Sequence, residues 1–136
     1  MLKKLCLLIL GLLFAGCAPS TFSEMKRSDS IKNETVVIDK NYEDIYRKSL
    51  SKARECYEMG LITGAVIADG QLYPSSKEGE IVIYTMGGFG KSITNGATFK
   101  EIEQNKTQVR FYATWGETSL KRMKRLFLEE NQGCYE

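Results

Sequence analysis

Along the chain, segments whose apolar residues repeat with strand spacing alternate with segments whose apolar residues repeat with helical spacing. The order of these segments limits the folds that the chain can adopt. Thr35 to Asp39 is a short β-branched run. From Tyr42 to Tyr57 apolar residues recur every three or four positions, which is typical of a helix, and this helix is predicted to be capped by Asn41 and to end at Gly60. Four segments of strand character follow, and a second segment of helical period closes the chain. The predicted order is β-α-β-β-β-β-α. We therefore expect an α+β two-layer sandwich, with two helices packed on one face of an antiparallel sheet.

The four consecutive strands are predicted where apolar residues repeat with a short, strand-like spacing between groups of turn residues. They cover residues 61–68, 80–86, 97–104 and 107–115, and the turn residues include Asp69-Gly70, Pro74 to Ser76, Gly87 to Gly96 and Asn105-Lys106. The last strand alternates most regularly, so Val109, Phe111 and Trp115 are predicted to face the core. Arg110 and Tyr112 then face water or a partner.

The closing helix is predicted to begin at Thr118 and to stop before Gly133, with Leu120, Met123 and Phe127 on its apolar face. Its other face carries a basic cluster made of Lys121, Arg122, Lys124 and Arg125. These cations lie toward the N-terminal half of the helix, which is the unfavourable end of the helix dipole. Either an anionic partner offsets the unfavourable interaction of these cations with the helix dipole, or the cluster is a solvated face with local Glu–Lys pairs.

A short apolar run, Leu5 to Phe14, follows the basic pair Lys3-Lys4 at the N-terminus. As a helix it rises about 15 Å against about 30 Å of hydrocarbon, so it is too short to span a bilayer comfortably and is typical of a secretory signal peptide. The segment from Leu13 to Cys17 resembles the bacterial lipobox. We expect residues 1–16 to be a lipoprotein signal peptide and acylated Cys17 to anchor the chain in a lipid bilayer. An ordinary cleavage after Ala18 is the alternative.

The absence of histidine from the chain excludes Ser-His-Asp and Cys-His nucleophiles and every His-ligated metal site. The 19 Lys and Arg residues outnumber the 17 Asp and Glu residues only through Lys3 and Lys4. Without residues 1–16 the charges balance, and the positive field that a nucleic-acid partner requires is missing. We predict no nucleic-acid partner, no metal and no cofactor.

Removal of the signal peptide and lipidation would account for two of the four cysteines. Cys6 leaves with the signal peptide and Cys17 carries lipid, so Cys56 and Cys134 remain as a pair in an oxidising, exported compartment. If the two helices end side by side, the two sulfurs meet, and a bridge closing a loop of roughly 80 residues is worth about 4.5 kcal/mol in the chain-entropy model. Two buried free thiols or an intermolecular bridge are the alternatives.

The segment between Cys17 and the first strand is polar, charged and without a period. This composition predicts a lipidated cysteine and flexible tether over residues 17–34, which holds the domain off the membrane. A surface peptide that hooks another protein is the alternative. Residues 35–136 are then the single α+β domain.

Met86 to Ser92 contains the Gly-Lys-Ser of a phosphate-binding loop. Thr85 stands where the full pattern requires glycine, and a strand rather than a helix is predicted to follow. We therefore predict no nucleotide site. The segment is interpreted as a mobile hairpin in which Phe89 and Lys91 are minor candidates for partner contact.

Two carboxylate pairs, Glu78/Glu80 and Glu101/Glu103, occur at strand spacing. General acid-base catalysis needs one carboxyl of a pair in an apolar pocket, and nothing in the sequence indicates such a pocket. Charges that discourage edge pairing are the simpler interpretation. The chain is predicted not to be an enzyme.

The lipobox, the polar segment, Tyr46-Arg47, Ala53-Arg54-x-Cys56 and a last helix before Cys134 together resemble a family of uncharacterised Gram-negative outer-membrane lipoproteins. The resemblance covers residues 35–136. It implies a cell-envelope domain of unknown function that is closed by a Cys56–Cys134 bridge. Ala18 after Cys17 is similar to lipoproteins sent to the outer membrane. The element order is also similar to the TBP-like and BamC-like folds, an analogy that carries no activity.

Three functions remain open at this level. The first is a non-catalytic binding or structural module, anchored in the outer membrane and facing the periplasm, that binds an envelope protein or glycan. Its candidate partner-binding residues are Arg110, Tyr112, Lys121, Arg122, Lys124 and Arg125. The second is a small lipoprotein inhibitor of lysozyme-like hydrolases. The third is an enzyme that would require a deep pocket near Glu101, Glu103, Arg110 or Tyr112.

Overall fold

A computed structural model describes residues 18–135 of the chain. In chain order the elements are α1 (Phe22–Arg27), β1 (Lys32–Ile38), α2 (Tyr42–Tyr57), β2 (Met59–Leu61), β3 (Gly64–Tyr73), β4 (Glu78–Gly87), β5 (Gly90–Glu103), β6 (Lys106–Ala113) and α3 (Glu117–Leu128). All the strands pair antiparallel in one sheet, in the order β1-β6-β5-β4-β3-β2. The predicted α+β class is confirmed. The predicted signal peptide and Cys17 lie outside the described residues.

Helices α2 and α3 pack on one face of the sheet, as predicted for a two-layer sandwich. Both bury the apolar stripes that the sequence indicates, and these stripes meet the inward-facing residues of the central strands. The side chains that form this core include Ile45, Ala53, Ile81, Ile83, Phe99, Val109, Phe111, Leu120, Met123, Leu126 and Phe127. Because this face of the sheet is covered along its central strands, the exposed functional surface must lie elsewhere.

The start of α2 follows the sequence prediction, whereas its end does not. The Asn41 side chain accepts a hydrogen bond from the backbone N–H of Glu43 at 2.9 Å, which caps the first turn. The helix ends at Tyr57, before Gly60, because the next residues form strand β2 against β3. This short strand adds a sixth member to a sheet predicted to have five.

Two glycines that were predicted to mark turns lie inside strands. Gly70 belongs to β3 and Gly96 to β5, and β5 begins at Gly90 directly after a tight hairpin. A Cβ atom on Gly70 would collide with the side chains of Tyr46 and Leu50 of α2. These glycines therefore mark places where a helix approaches the sheet closely. In the sequence alone, such a glycine cannot be distinguished from one that marks a turn.

Helix α1 lies on the face of the sheet opposite to α2 and α3. Its Phe22 and Met25 side chains are buried with Ile31, Ile93 and Tyr112 in a second, smaller cluster. The prediction of a flexible tether is therefore wrong for the described part of residues 17–34, and the domain begins well before residue 35. Three buried apolar side chains of this polar segment, Phe22, Met25 and Ile31, attach it to the sheet.

Candidate functional site

A disulfide joins Cys56 at the end of α2 to Cys134 near the end of the chain, with 5.1 Å between the Cα atoms. The predicted pairing is confirmed, although it does not arise from helices that end side by side. The two helices are antiparallel, since Glu130 beyond α3 pairs with Lys40 ahead of α2 at 2.9 Å. The segment after α3 therefore turns back along α2 to bring Cys134 to Cys56.

Arg122 fastens this returning segment and is not a free binding residue. Its guanidinium group donates to the carbonyl oxygens of Cys134 at 3.3 Å and of Cys56 at 3.5 Å. It also lies over the ring of Tyr57, 4.7 Å from the centroid. Burial raises the pKa of the Tyr57 hydroxyl, and that hydroxyl has no hydrogen-bond partner among the described residues.

The other members of the predicted basic cluster point in different directions. Lys121 pairs with Glu117 at 3.3 Å within α3, and Lys124 reaches Glu34 of β1 at 2.6 Å. The Nε atom of Arg125 is buried without a hydrogen-bond partner in the described part of the chain. The cluster is thus divided among local ion pairs and packing, and it does not form one continuous cationic surface.

Arg110 and Tyr112 lie on the outer face of the sheet, as the alternation in β6 predicts, but only one of them is accessible. Tyr112 is 4% exposed because Phe22 of α1 packs edge-on against it, with 5.6 Å between ring centroids. Arg110 remains at the surface, where it donates to the Asn33 side-chain oxygen at 2.9 Å. Tyr112 is therefore removed from the set of candidate binding residues.

Helix α1 covers only part of the outer face, and an open cavity of about 280 Å³ lies beside it. We call this cavity the outer groove. The charged or aromatic residues that line it are Lys26, Tyr73, Glu78, Glu80, Phe99, Lys100, Arg110 and Tyr112, of which Phe99 and Tyr112 are almost fully buried. The strand registers place these residues side by side, since Glu78 faces both Tyr73 and Lys100.

The charges of the outer groove are arranged in pairs. Lys26 of α1 binds Glu80 at 2.6 Å, and Lys100 of β5 binds Glu78 at 3.4 Å. All four side chains keep part of their surface in water. The groove thus offers hydrogen-bond donors and acceptors of both signs to a polar ligand. The sequence analysis missed Lys26, which the packing of α1 brings to Glu80, and Tyr73, which the β3–β4 register places opposite Glu78.

The predicted carboxylate pair Glu101/Glu103 lies apart from the outer groove. Both residues line another cavity, next to the β5–β6 hairpin, together with Lys77. Glu101 accepts a hydrogen bond from Lys77 at 2.9 Å, and Glu103 accepts one from Lys106 at 3.1 Å. The structure does not bring these carboxylates into one pocket with Arg110.

One end of the molecule carries most of the large exposed apolar side chains described. We call it the apolar end, and it consists of Met59, Leu61, Ile62, Met86, Phe89, Trp115 and Tyr135. The tips of the β2–β3 and β4–β5 hairpins meet there, because Gly64 pairs with Gly87. Gly90 to Ser92 begins strand β5 at this end, and the Lys91 ammonium group lies 4.1 Å from the centroid of the Tyr84 ring.

The prediction that Trp115 belongs to the core is wrong, since its side chain is 76% exposed. Strand β6 ends at Ala113, so the alternation that extends to residue 115 in sequence no longer applies. Trp115 instead lines a cavity of about 300 Å³ with Tyr57, Asn95, Ser119 and Tyr135. The side chain of Asn95 donates to Ser119 at 2.9 Å on the wall of this cavity.

Comparison with known proteins leaves the site to be interpreted from its own geometry. No protein-family model matches the chain, and no curated protein matches it. Within residues 18–135, no three Cys, Asp or Glu side chains are grouped so that they could hold a metal ion. No helix in that range has the length and apolar character needed to cross a membrane.

Proposed function

We propose that this chain is an exported lipoprotein of the cell envelope, anchored in the outer membrane through Cys17, whose periplasmic domain is a non-catalytic binding module. The Leu13–Cys17 pattern supports the anchor. The Cys56–Cys134 disulfide supports export, because such bonds persist in oxidising compartments. Pro19, which already contacts the sheet, follows Cys17 by two residues, so no long linker separates the proposed anchor from the domain.

The observation that carries the binding function is the outer groove. It is a concave, water-accessible region on an otherwise regular sheet, and it combines Tyr73 with Lys100 and Arg110. An aromatic side chain and an arginine are the residue types most enriched in protein recognition sites. The same mixture of a ring and paired charges suits a sugar or a peptide that offers both donors and acceptors. An envelope protein or glycan is the proposed partner.

The chemistry of the groove favours binding over catalysis. A general acid needs a carboxyl group in an apolar, water-poor pocket. Glu78 and Glu80 are open to water, and each faces a lysine. Such groups orient a ligand by hydrogen bonds and charge.

Site-specific photo-crosslinking in intact cells tests the proposal. A photoreactive residue in place of Tyr73 is expected to capture an envelope partner, and the same residue in place of Ser51, on the exposed face of α2, is the control. Lys100→Glu combined with Arg110→Glu should abolish the capture from position 73. Equal labelling from both positions would contradict the proposal. Inhibition of lysozyme by the purified domain would favour a hydrolase inhibitor instead.

A further inference from the structure

We infer that the apolar end rests on the bilayer surface, with its aromatic and aliphatic side chains in the interfacial layer and the outer groove facing sideways into the periplasm. This inference rests on the proposed lipid anchor at Cys17 and adds an orientation to it. Three independent features of the described residues support it: where the chain enters the fold, which side chains are exposed there, and how the opposite end differs.

The chain enters the fold at the apolar end. The carbonyl oxygen of Pro19 accepts a hydrogen bond from the backbone N–H of Ile93 at 2.9 Å. Ile93 lies three residues, or about 10 Å along a strand, from Gly90, which pairs with Gly87 next to the tip of the β4–β5 hairpin. Cys17 precedes Pro19 by two residues in sequence, and two residues of fully extended chain span at most about 7 Å. A lipid on Cys17 is therefore held close to this end.

The described segment that follows Cys17 contains no flexible linker that could hold the domain away from the membrane. Thr21 caps α1, and the side chain of Glu24 accepts hydrogen bonds from the backbone N–H groups of Ser20 and Thr21 at 3.0 and 3.3 Å. Phe22 and Met25 are buried against the sheet. With the polypeptide attached from Pro19 onward, acyl chains in a bilayer bring the domain surface against the headgroups.

The side chains at this end suit that position. Ile62 and Phe89 are fully exposed at the tips of neighbouring hairpins, and Trp115 is 76% exposed in a cavity that Met59 also lines. Soluble proteins rarely expose so many large apolar groups together without a partner. Tryptophan and tyrosine concentrate at the membrane interface, where the apolar ring contacts acyl chains and the polar group contacts headgroups and water. Lys91 stands at the same end, where its ammonium group can meet lipid phosphates.

The opposite end of the molecule is polar by comparison. The pairs Lys77–Glu101 and Lys106–Glu103 surround the β5–β6 hairpin, and Lys40–Glu130 joins the start of α2 to the end of α3. Apart from Glu101, the side chains of these ion pairs are partly exposed, and they would lose hydration in a membrane interface. The polarity difference between the two ends thus agrees with the position of the anchor.

Trp115 is the only tryptophan of the chain, so its fluorescence reports directly on the apolar end. The acylated full-length protein is reconstituted into vesicles of phosphatidylethanolamine and phosphatidylglycerol, with and without brominated acyl chains. We expect brominated lipid to quench Trp115 and acrylamide quenching to be roughly twofold weaker than in the double variant Ile62→Ser/Phe89→Ser. Ile102→Ser, which removes an exposed apolar side chain next to the β5–β6 hairpin, is the matched control and should leave both signals unchanged.

The outcomes separate the orientation from the anchor. If the protein floats with the vesicles while Trp115 stays open to acrylamide and insensitive to bromine, the orientation is wrong and the anchor stands. The apolar end would then belong to a protein partner. If Trp115 is protected equally without vesicles at high protein concentration, a second copy covers this end and the inference is also wrong. If mass spectrometry finds no lipid on Cys17, the proposed function fails and the inference fails with it.

Discussion

The carbonyl oxygen of Pro19 and the backbone N–H of Ile93 are joined by a 2.9 Å hydrogen bond. The carbonyl oxygen of Ile93 in turn accepts a hydrogen bond from the Thr114 side chain at 2.9 Å. The N-terminal segment, β5 and the end of β6 are thereby connected. In the proposed lipoprotein this contact places the anchor and the apolar end on the same side of the domain.

Replacement of Cys17 tests the anchor. We expect Cys17→Ser to move the protein from the membrane fraction to the soluble fraction, because the thiol that receives lipid is lost. More than one acyl chain is needed for stable attachment, so the change should be nearly complete. Fractionation with immunodetection measures it, and Cys6→Ser is the control within the signal peptide. Equal membrane retention of both variants would contradict lipidation at Cys17.

Replacement of Cys56 tests the contribution of the disulfide. The two cysteines lie 78 residues apart, and a loop of that size is worth about 4.5 kcal/mol in the chain-entropy model. We expect Cys56→Ser to lower the free energy of unfolding in urea by about this amount under oxidising conditions. Cys134→Ser should behave alike, and a reductant should bring the wild type close to both variants. A difference that persists after reduction would show that the effect comes from packing.

The close approach of α1 to the sheet predicts a specific steric effect. A Cβ atom added at Gly96 would overlap the ring of Phe22. We expect Gly96→Ala to displace α1 and to lower the free energy of unfolding by about 1–2 kcal/mol. Amide hydrogen exchange in α1 should rise in parallel. Gly60→Ala is the matched control, since a Cβ atom there meets nothing within 4 Å. Unchanged exchange in α1 would show that Phe22 moves aside at no cost.

Helix α1 should also loosen in acid. Hydrogen bonds from the backbone N–H groups of Ser20 and Thr21 lower the pKa of Glu24 below its ordinary value of 4.5. This carboxylate therefore stabilises the helix start above the ordinary pKa, and the stabilisation is lost as the pH falls through the lowered value. We expect amide exchange in α1, corrected for its intrinsic pH dependence, to show less protection at about pH 3 than at neutral pH. Glu24→Gln should remove this difference.

The buried hydroxyl of Tyr57 predicts a gain in stability on its removal. It has no hydrogen-bond partner within residues 18–135, and an unpaired buried hydroxyl costs about 1–3 kcal/mol. We expect Tyr57→Phe to raise the free energy of unfolding by about 1 kcal/mol, because the ring still packs under Arg122. Chemical denaturation measures the change. A clear loss of stability would show that water or a ligand in the Trp115 cavity binds the hydroxyl.

Local patterns were sufficient to predict α2, α3 and most strands, whereas α1 was not predicted. The three- and four-residue spacing of α2 and α3 predicted which of their side chains are buried, and the alternation in β6 predicted that Val109 and Phe111 face inward. These predictions succeed because an amphipathic element must turn its apolar side to the core, whichever element it meets. The same argument failed at Trp115, because alternation has meaning only while the strand continues.

The sequence by itself determined the α+β class, the amphipathic faces and the cysteines available for pairing, since these depend on periods and composition along the chain. Only the tertiary structure decided that α1 packs on the outer face, that Tyr112 is covered while Arg110 is not, and that Pro19 lies at the apolar end. Each of these depends on contacts between residues far apart in sequence, such as Phe22 with Tyr112. The free energy of such contacts comes from surface that two segments bury together, and neither segment carries that information alone.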